Sequence, residues 1–391
     1  MRKSSKLVVF LVVFIDLLGF GIMIPLLPIF ARSFQASATE LGALMFVYSF
    51  MQIFVSPLWG SLSDRFGRRP ILLITIGGQA LAYLWAGYAG DYFSLLWSRV
   101  FAGIFAANIS TASAYMADIT TPEERAKGMG LIGAAFGLGF VFGPAIGGGL
   151  LHFGLTVPSL VAFSICAANL VFAYFVLKEP AQTAISRAAN RRKFSLQDFR
   201  EILAQPIYFV PIFLFFLLTT AFVQLEVTFI LFILDRFRFT QTKALYLLAF
   251  MGVVMAFVQG GLIGRMAKKF QEARLVLVGI ILIVLGLSSM VFSFSFYPLV
   301  FSLIVLAFGY SLTNPCLSAL VSKAAPADRQ GSVLGIYQSG GSMARILGPL
   351  LAGPLYDLRI DFPLMGSIVL AMIAGLILTT RIFWNKTPAS I

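Results

Sequence analysis

GSLSDRFGRRP, residues Gly60 to Pro70, lies between two apolar runs, 41–62 and 71–89, each long enough to cross a bilayer. Asp64, Arg65, Arg68 and Arg69 crowd this stretch with charge, so it reads as a tight turn at a membrane surface. A basic loop alone can be explained as an orientation signal under the positive-inside rule. Neither the aspartate nor the flanking Gly60 and Gly67 is needed for that purpose, and they point to a mechanical part.

Composition extends the same reading to the whole chain. Of its 391 residues 59% are hydrophobic and 12% charged, and the mean hydropathy is +0.92, against about half apolar and a quarter charged in an ordinary soluble domain. Gly, Pro and charge clusters cut the sequence into about twelve apolar segments, near 7–30, 41–62, 71–89, 94–117, 126–150, 156–177, 207–234, 242–264, 275–293, 297–321, 331–354 and 362–383. All are expected to be helices, because lipid offers no partner to open backbone groups. The first is too long for a signal-peptide core and lacks a small-residue cleavage site, so it is read as a retained span.

The net charge of +13 is not a nucleic-acid signal. Basic residues gather in alternate loops, as at Arg2, Lys3 and Lys6, at Arg65, Arg68 and Arg69, at Arg125 and Lys127, and at Arg187, Arg191, Arg192 and Lys193. Further groups are Arg265, Lys268, Lys269 and Arg274, then Lys323 and Arg329, then Arg381 and Lys386. That asymmetry places both termini in the cytoplasm. Cys166 and Cys316 each fall inside an apolar run, and with His152 as the sole histidine no disulfide framework or metal site is implied.

The chain also repeats itself. Thr121 to Gly148, TPEERAKGMGLIGAAFGLGFVFGPAIGG, returns as Ala325 to Gly353, APADRQGSVLGIYQSGGSMARILGPLLAG. Pro122, Glu124 and Arg125 answer to Pro326, Asp328 and Arg329, and Gly143-Pro144 to Gly348-Pro349. Internal symmetry of this kind is the mark of transporters, and it divides the chain into bundles over 1–178 and 207–391 with a linker over 179–206. In that linker Ser195-Leu196-Gln197-Asp198 has capping-box spacing, followed by Phe199, Ile202 and Leu203 at helical intervals. An amphipathic surface helix is expected there. The basic turn recurs more weakly, with Arg265, Lys268 and Lys269 in the places of Arg65, Arg68 and Arg69, but Gly264 stands where Asp64 stood.

Four motifs in order along the chain resemble those of the major facilitator superfamily, in its twelve-span drug:proton antiporter group. GSLSDRFGRRP resembles the loop motif between spans two and three, and LLWSRVFAGIFAA, with Arg99 and Gly103, the fourth-span motif. GLGFVFGPAIGG, Gly137 to Gly148, resembles the fifth-span antiporter motif, and DLLGFGIMIPLLP, Asp16 to Pro28, the first-span signature of the drug-antiporter branch. The resemblance covers the whole length. It implies an all-α membrane protein with two pseudo-symmetric six-helix bundles, in a bacterial inner membrane. It also implies a monomer that exports an organic compound against protons by alternating access, with no cofactor beyond the proton gradient.

Residue chemistry gives these motifs their expected roles. Gly133, Gly137, Gly143, Gly147 and Gly148 remove bulk from span five and Pro144 interrupts its ladder, which suits a close-packed, bendable seam or simply ordinary helix packing. Asp64 can cap the positive end of an approaching helix, the candidate being the eleventh span from about Gly331. The resemblance adds that Arg68 pairs with Asp118, making Gly60, Asp64, Arg65, Gly67, Arg68, Arg69 and Asp118 a conformational latch.

Ionisable groups inside spans are costly and therefore diagnostic. Asp16 and Arg99 fall in the first half, Glu226 and Arg345 in the second. An acid whose arginine neighbour moves between states can take and release a proton, so Asp16 is read as the proton carrier with Arg99 tuning it, and Glu226 as a second proton or substrate site. Static ion pairs are the other reading of both. Tyr48, Gln52, Gln79, Asn108, Gln224, Gln259, Asn314 and Gln338 outline a substrate cavity, with Phe222, Phe229, Tyr310 and Tyr337 as aromatic wall. A mixed wall with few fixed charges suits amphipathic or lipophilic organic molecules.

The chain departs from the tetracycline/proton antiporters where they carry an acid in span three, since it has Ala82 there, and it has no histidine between Ala244 and Gly264. Both departures argue against tetracycline as the substrate. No GxxxxGK[ST] loop occurs, so direct ATP drive is not expected. An uptake symporter or facilitator for sugars or organic anions, and a non-transporting sensor, are the rival functions.

Overall fold

The computed structural model describes residues 2–120, 122–180, 196–325 and 330–384. Ser195, the linker cations Arg187, Arg191, Arg192 and Lys193, the repeat residues Pro326, Asp328 and Arg329, and Lys386 lie outside the described residues. Among the described residues all regular structure is helical.

Among the described residues eleven helices are long and apolar enough to cross a membrane: Lys6–Ser33, Ala38–Phe66, Arg68–Gly87, Tyr92–Ile119, Gly128–Phe153, Thr156–Val176, Pro206–Phe237, Gln241–Ala267, Glu272–Val291, Phe296–Ala324 and Phe362–Thr380. Gln330–Leu358, a helix of 29 residues, occupies the place of the expected eleventh span. It falls outside that set because Gln338, Ser339, Ser342 and Arg345 dilute its apolarity.

Helix ends follow local chemistry. Ser37 and Glu40 close a reciprocal capping box at the start of the second span, Ser37 N donating to Glu40 Oε2 at 2.7 Å and Glu40 N to Ser37 Oγ at 3.1 Å. Asp91 accepts from Ser94 N at 2.8 Å and starts the fourth. The first span tightens to a 3-10 turn over Ile24–Leu26, where Pro25 withdraws a donor. A π-turn, Val258–Leu262, interrupts the eighth.

The Gly60 to Pro70 stretch is mostly helical, where the sequence reads as a tight turn throughout. The second span stays helical through Phe66, a single residue, Gly67, makes the joint at φ 107° and ψ 154°, and the third helix begins at Arg68. Only glycine adopts that backbone conformation readily.

Two compact units divide the chain, Met1–Arg192 with Thr240–Ala249, and Lys193–Phe239 with Phe250–Ile391. The first unit therefore takes in the start of the eighth span, which the sequence assigned to the second half. Close packing accounts for this: a Cβ at Gly148 would stand 3.1 Å from the Leu245 side chain. A helix does form at Leu196–Ala204, where the amphipathic segment was expected, and Ile202 is buried.

Within the first unit, spans one and five meet backbone to backbone. A Cβ on Gly143 would lie 2.2 Å from the Gly21 carbonyl carbon, and one on Gly139 2.7 Å from the Leu17 carbonyl oxygen. Gly147 is in looser contact with Ile22, while a Cβ on Gly133 or Gly137 would meet nothing within 4 Å. The tight seam thus belongs to Gly139 and Gly143 against the first span, not to Gly137, and Pro144 lies inside an unbroken helix. Without a hydrophobic drive between helices in lipid, such close approach is a main source of association.

Gly143→Ala is expected to destabilise the protein by about 1–3 kcal/mol, seen as a lower thermal midpoint in detergent, whereas Gly137→Ala should leave the midpoint unchanged or raised. Equal effects at the two positions would contradict this seam.

Candidate functional site

The fourth span is broken. Its helix runs Tyr92–Ile104, stops, and resumes as Asn108–Ile119. Three residues, Phe105 to Ala107, carry the chain across, with Phe105 N and Ala106 N bonding three residues back to Ala102 O and Gly103 O. A break at membrane depth frees carbonyls that must find other donors. The second span supplies them: Trp59 Nε1 donates to Ile104 O at 2.6 Å, and Gln52 Nε2 donates to Ala106 O at 2.8 Å.

Glycines fit the broken segment to its neighbours. The Phe105 ring lies on Gly78 of the third span, where a Cβ would come within 2.1 Å of it. Trp59 packs against the same ring at 5.8 Å. Gly103 abuts the second span, 2.7 Å separating its missing Cβ from Tyr48 O.

Asn108 opens the second half-helix, and its Nδ2 donates to Asp16 Oδ1 at 2.9 Å. The carboxylate of the first span is thereby held at the positive end of a half-helix. Both side chains are buried, at 6% and 8% exposure, among Val12, Val13, Leu72, Ile76 and Ile109.

Arg99 does not pair with Asp16. It is fully buried, its Nε reaches Ser98 Oγ at 3.5 Å, and its Nη2 has no hydrogen-bond partner among the described residues. Tyr83 and Tyr48 are its electrostatic neighbours. Tyr83, buried in the third span, in turn lies within electrostatic range of Asp16. Gln79 Nε2 reaches Tyr48 Oη at 3.5 Å.

A second cluster surrounds Gly67. Arg68 Nη2 lies 2.6 Å from Asp64 Oδ1 and its Nε 3.0 Å from Asp118 Oδ2, and its Nη1 donates to Ser63 Oγ at 2.5 Å. One guanidinium thus ties the second, third and fourth spans together at one end of the unit. Glu179, just past the sixth span, accepts from Arg68 N at 2.6 Å and from Arg69 N at 2.9 Å, so its carboxylate caps the third helix. Arg69 Nη2 donates to Tyr174 O at 2.6 Å with its guanidinium 5.2 Å from the Tyr174 ring, and Tyr115 Oη donates to Lys178 O. Asp64 is exposed and Gly60 has open space around it, while Arg65 rests over the Phe66 ring.

In the second unit Glu226 is half-buried, with Arg345 as its electrostatic neighbour. Gln224 is buried against Gly366, and its Oε1 has no hydrogen-bond partner among the described residues. Tyr337 stacks on Phe215 at 4.1 Å and reaches Asn314 Oδ1 at 3.3 Å, while Tyr310 meets Phe222 edge-on at 4.9 Å. Asn314, Gln338 and Arg345 are exposed on that unit, as is Gln259 in the π-turn. Among the described residues no cluster of His, Cys, Asp and Glu side chains fits a metal ion.

An all-helical chain of many spans, with isolated charges held inside them, has the build of a multi-pass membrane transporter. The chain belongs to the Major Facilitator Superfamily, whose family model matches residues 9–349 and 261–390. It is a transporter rather than an enzyme. It is 31% identical over 385 residues to "Multidrug resistance protein 2" of Bacillus subtilis (strain 168), covering 97% of this chain and 95% of that one. To "Tetracycline resistance protein, class C" of Escherichia coli it is 32% identical over 369 residues, covering 91% of each.

Among solved structures it is similar to the human organic anion transporter MFSD10 (TETRAN), with 26% identity, a TM-score of 0.70, and 96% of this chain and 99% of that chain covered. A bacterial homolog of the human lysosomal transporter Spinster shares the fold at a TM-score of 0.82 and 15% identity, with 99% of both chains covered.

The sequence reading named Asp16, Arg99, Arg68 and Asp118, and it did not name Trp59, Glu179 or the break itself. Gln52 and Asn108, expected in a cavity wall, donate here to Ala106 O and to the Asp16 carboxylate. Gly67→Ala should cost about 1–3 kcal/mol by forcing a side chain into the glycine-only region, and Glu179→Ala about 1 kcal/mol through the lost cap. Thermal unfolding in detergent reads both, and wild-type stability in either variant would contradict the joint described.

Proposed function

We propose that this chain is a proton-coupled antiporter that exports amphipathic or lipophilic organic compounds by alternating access, working as a monomer. In this reading it has twelve spans in two bundles over 1–178 and 207–391, joined by the linker 179–206, with both termini on the cytoplasmic side of a bacterial inner membrane. The single observation that carries the proton role is Asp16: a carboxyl among aliphatic side chains whose one hydrogen-bond donor among the described residues is a neutral amide. A carboxylate without a paired cation in such surroundings is costly, so a proton relieves it.

Asp16 carries the exchanged proton. Arg99 acts on it at a distance across Tyr83 rather than by contact, and Glu226 with Arg345 supplies the charged part of the substrate site. Tyr48, Gln224, Gln259, Asn314 and Gln338 contribute neutral polar groups to that site. Asp64, Arg68 and Asp118 work as the latch that favours the outward-open state. Support for export comes from similarity to a multidrug resistance protein and a tetracycline resistance protein along nearly the whole chain.

A second reading, transport of organic anions, is favoured by the exposed Arg345 and by the 26% identity to a human organic anion transporter. Proteoliposomes separate the two. Tetraphenylphosphonium added to the loaded side should release protons from the wild-type protein, and Asp16→Asn should abolish that release. Coupled flux surviving in Asp16→Asn would overturn the proton assignment, and proton release with an aromatic sulfonate but none with the cation would transfer the substrate class to anions.

A further inference from the structure

We propose that Asn108 is the positioning residue that reads the charge state of Asp16 and passes it to the broken fourth span, holding the ionised acid by one hydrogen bond and the protonated acid by two. This rests on Asp16 being the proton carrier. Three observations lead to it. Asn108 Nδ2 donates to Asp16 Oδ1, and Asn108 Oδ1 is buried with no hydrogen-bond partner among the described residues. The remaining walls, Val12, Val13, Leu72, Ile76 and Ile109, have side chains that offer it nothing. Asn108 is also the first residue of the half-helix after the break.

A carboxylate only accepts, so it cannot serve the amide oxygen. A proton arriving from water on Asp16 Oδ2 forms one new O–H bond and turns that oxygen into a donor. Rotation of the carboxyl then closes a cyclic acid–amide pair, N–H to Oδ1 of the acid and O–H to Oδ1 of the amide, which satisfies the orphaned carbonyl.

The other titratable groups near Asp16 among the described residues are the Tyr83 phenol from the third span and the Cys166 thiol from the sixth, neither of which is a cation in any protonation state. Arg99 has Tyr83 and Tyr48 as its neighbours. No cation therefore competes with Asn108 for the carboxylate among the described residues. Phe105 to Ala107 joins the two half-helices, and Trp59 and Gln52 hold the Ile104 and Ala106 carbonyls to the second span, so movement of Asn108 acts on those two bonds.

Infrared difference spectra of the full-length protein, acidic minus neutral, test this directly. The carbonyl stretch of protonated Asp16, identified by its loss in Asp16→Asn, should move to higher wavenumber in Asn108→Leu, where the acid has lost its partner. Should that variant not fold, wild-type protein with asparagine labelled at the side-chain carbonyl with carbon-13 gives the same information. One labelled amide band should then shift with the midpoint of the Asp16 band. An Asp16 band unmoved in Asn108→Leu, or no labelled amide following it, overturns the role of Asn108 alone. A wild-type spectrum with no carboxyl band sensitive to Asp16→Asn overturns the proton assignment beneath it.

Discussion

A buried carboxylate tied to the first residue of a half-helix is the constraint on which the rest depends. Asp16 is buried inside the first unit among aliphatic side chains, and the only donor it meets among the described residues is the Asn108 amide. An intact fourth helix would run on without a free end, so the break at Phe105 to Ala107 gives the acid a half-helix start to sit against. In turn the break is tolerable because Trp59 and Gln52 bond the carbonyls it frees, and because Gly78 makes room for the Phe105 ring. Removing any one of these hydrogen bonds leaves a polar group unpaired in an apolar medium, which costs several kcal/mol.

The rest of the unit is built to be stiff around that soft point. Glycine backbones bring spans one and five into direct contact at Gly21 and Gly143, and this fixes the helix that carries Asp16. At the Gly67 end, Arg68 joins three spans through Asp64, Asp118 and Ser63, and Glu179 caps the third helix. These bonds brace the one-residue joint at Gly67 from both sides. The broken fourth span is then the place where a change in charge can become a change in shape.

Much of this was legible in the sequence. Hydropathy placed the spans, the cost of burying charge singled out Asp16, Arg99, Glu226 and Arg345, and the motif order gave the family. The Arg68–Asp118 pair was expected from the resemblance, but the partner of Asp16 and the helix contacts of the first unit were not legible. Spans apolar all round leave helix rotation undetermined, so nothing in the sequence tied Asn108 to an acid 92 positions earlier or separated Gly139 from Gly137 as the contact residue. Nor does the break announce itself, for Phe105, Ala106 and Ala107 include neither proline nor glycine. Glu179 was overlooked because its role depends on where the chain returns after six spans. The helical course of Gly60 to Phe66 was hidden by its turn-like composition.

Hydrogen–deuterium exchange at the break, followed by mass spectrometry of the peptide spanning Phe105 to Ile109, reads whether the charge on Asp16 reaches the fourth span. Corrected for the intrinsic pH dependence of exchange, protection there should change across the titration of Asp16 in the wild-type protein and be independent of pH in Asp16→Asn. The same pH dependence in both proteins would contradict a fourth span controlled by the charge on Asp16.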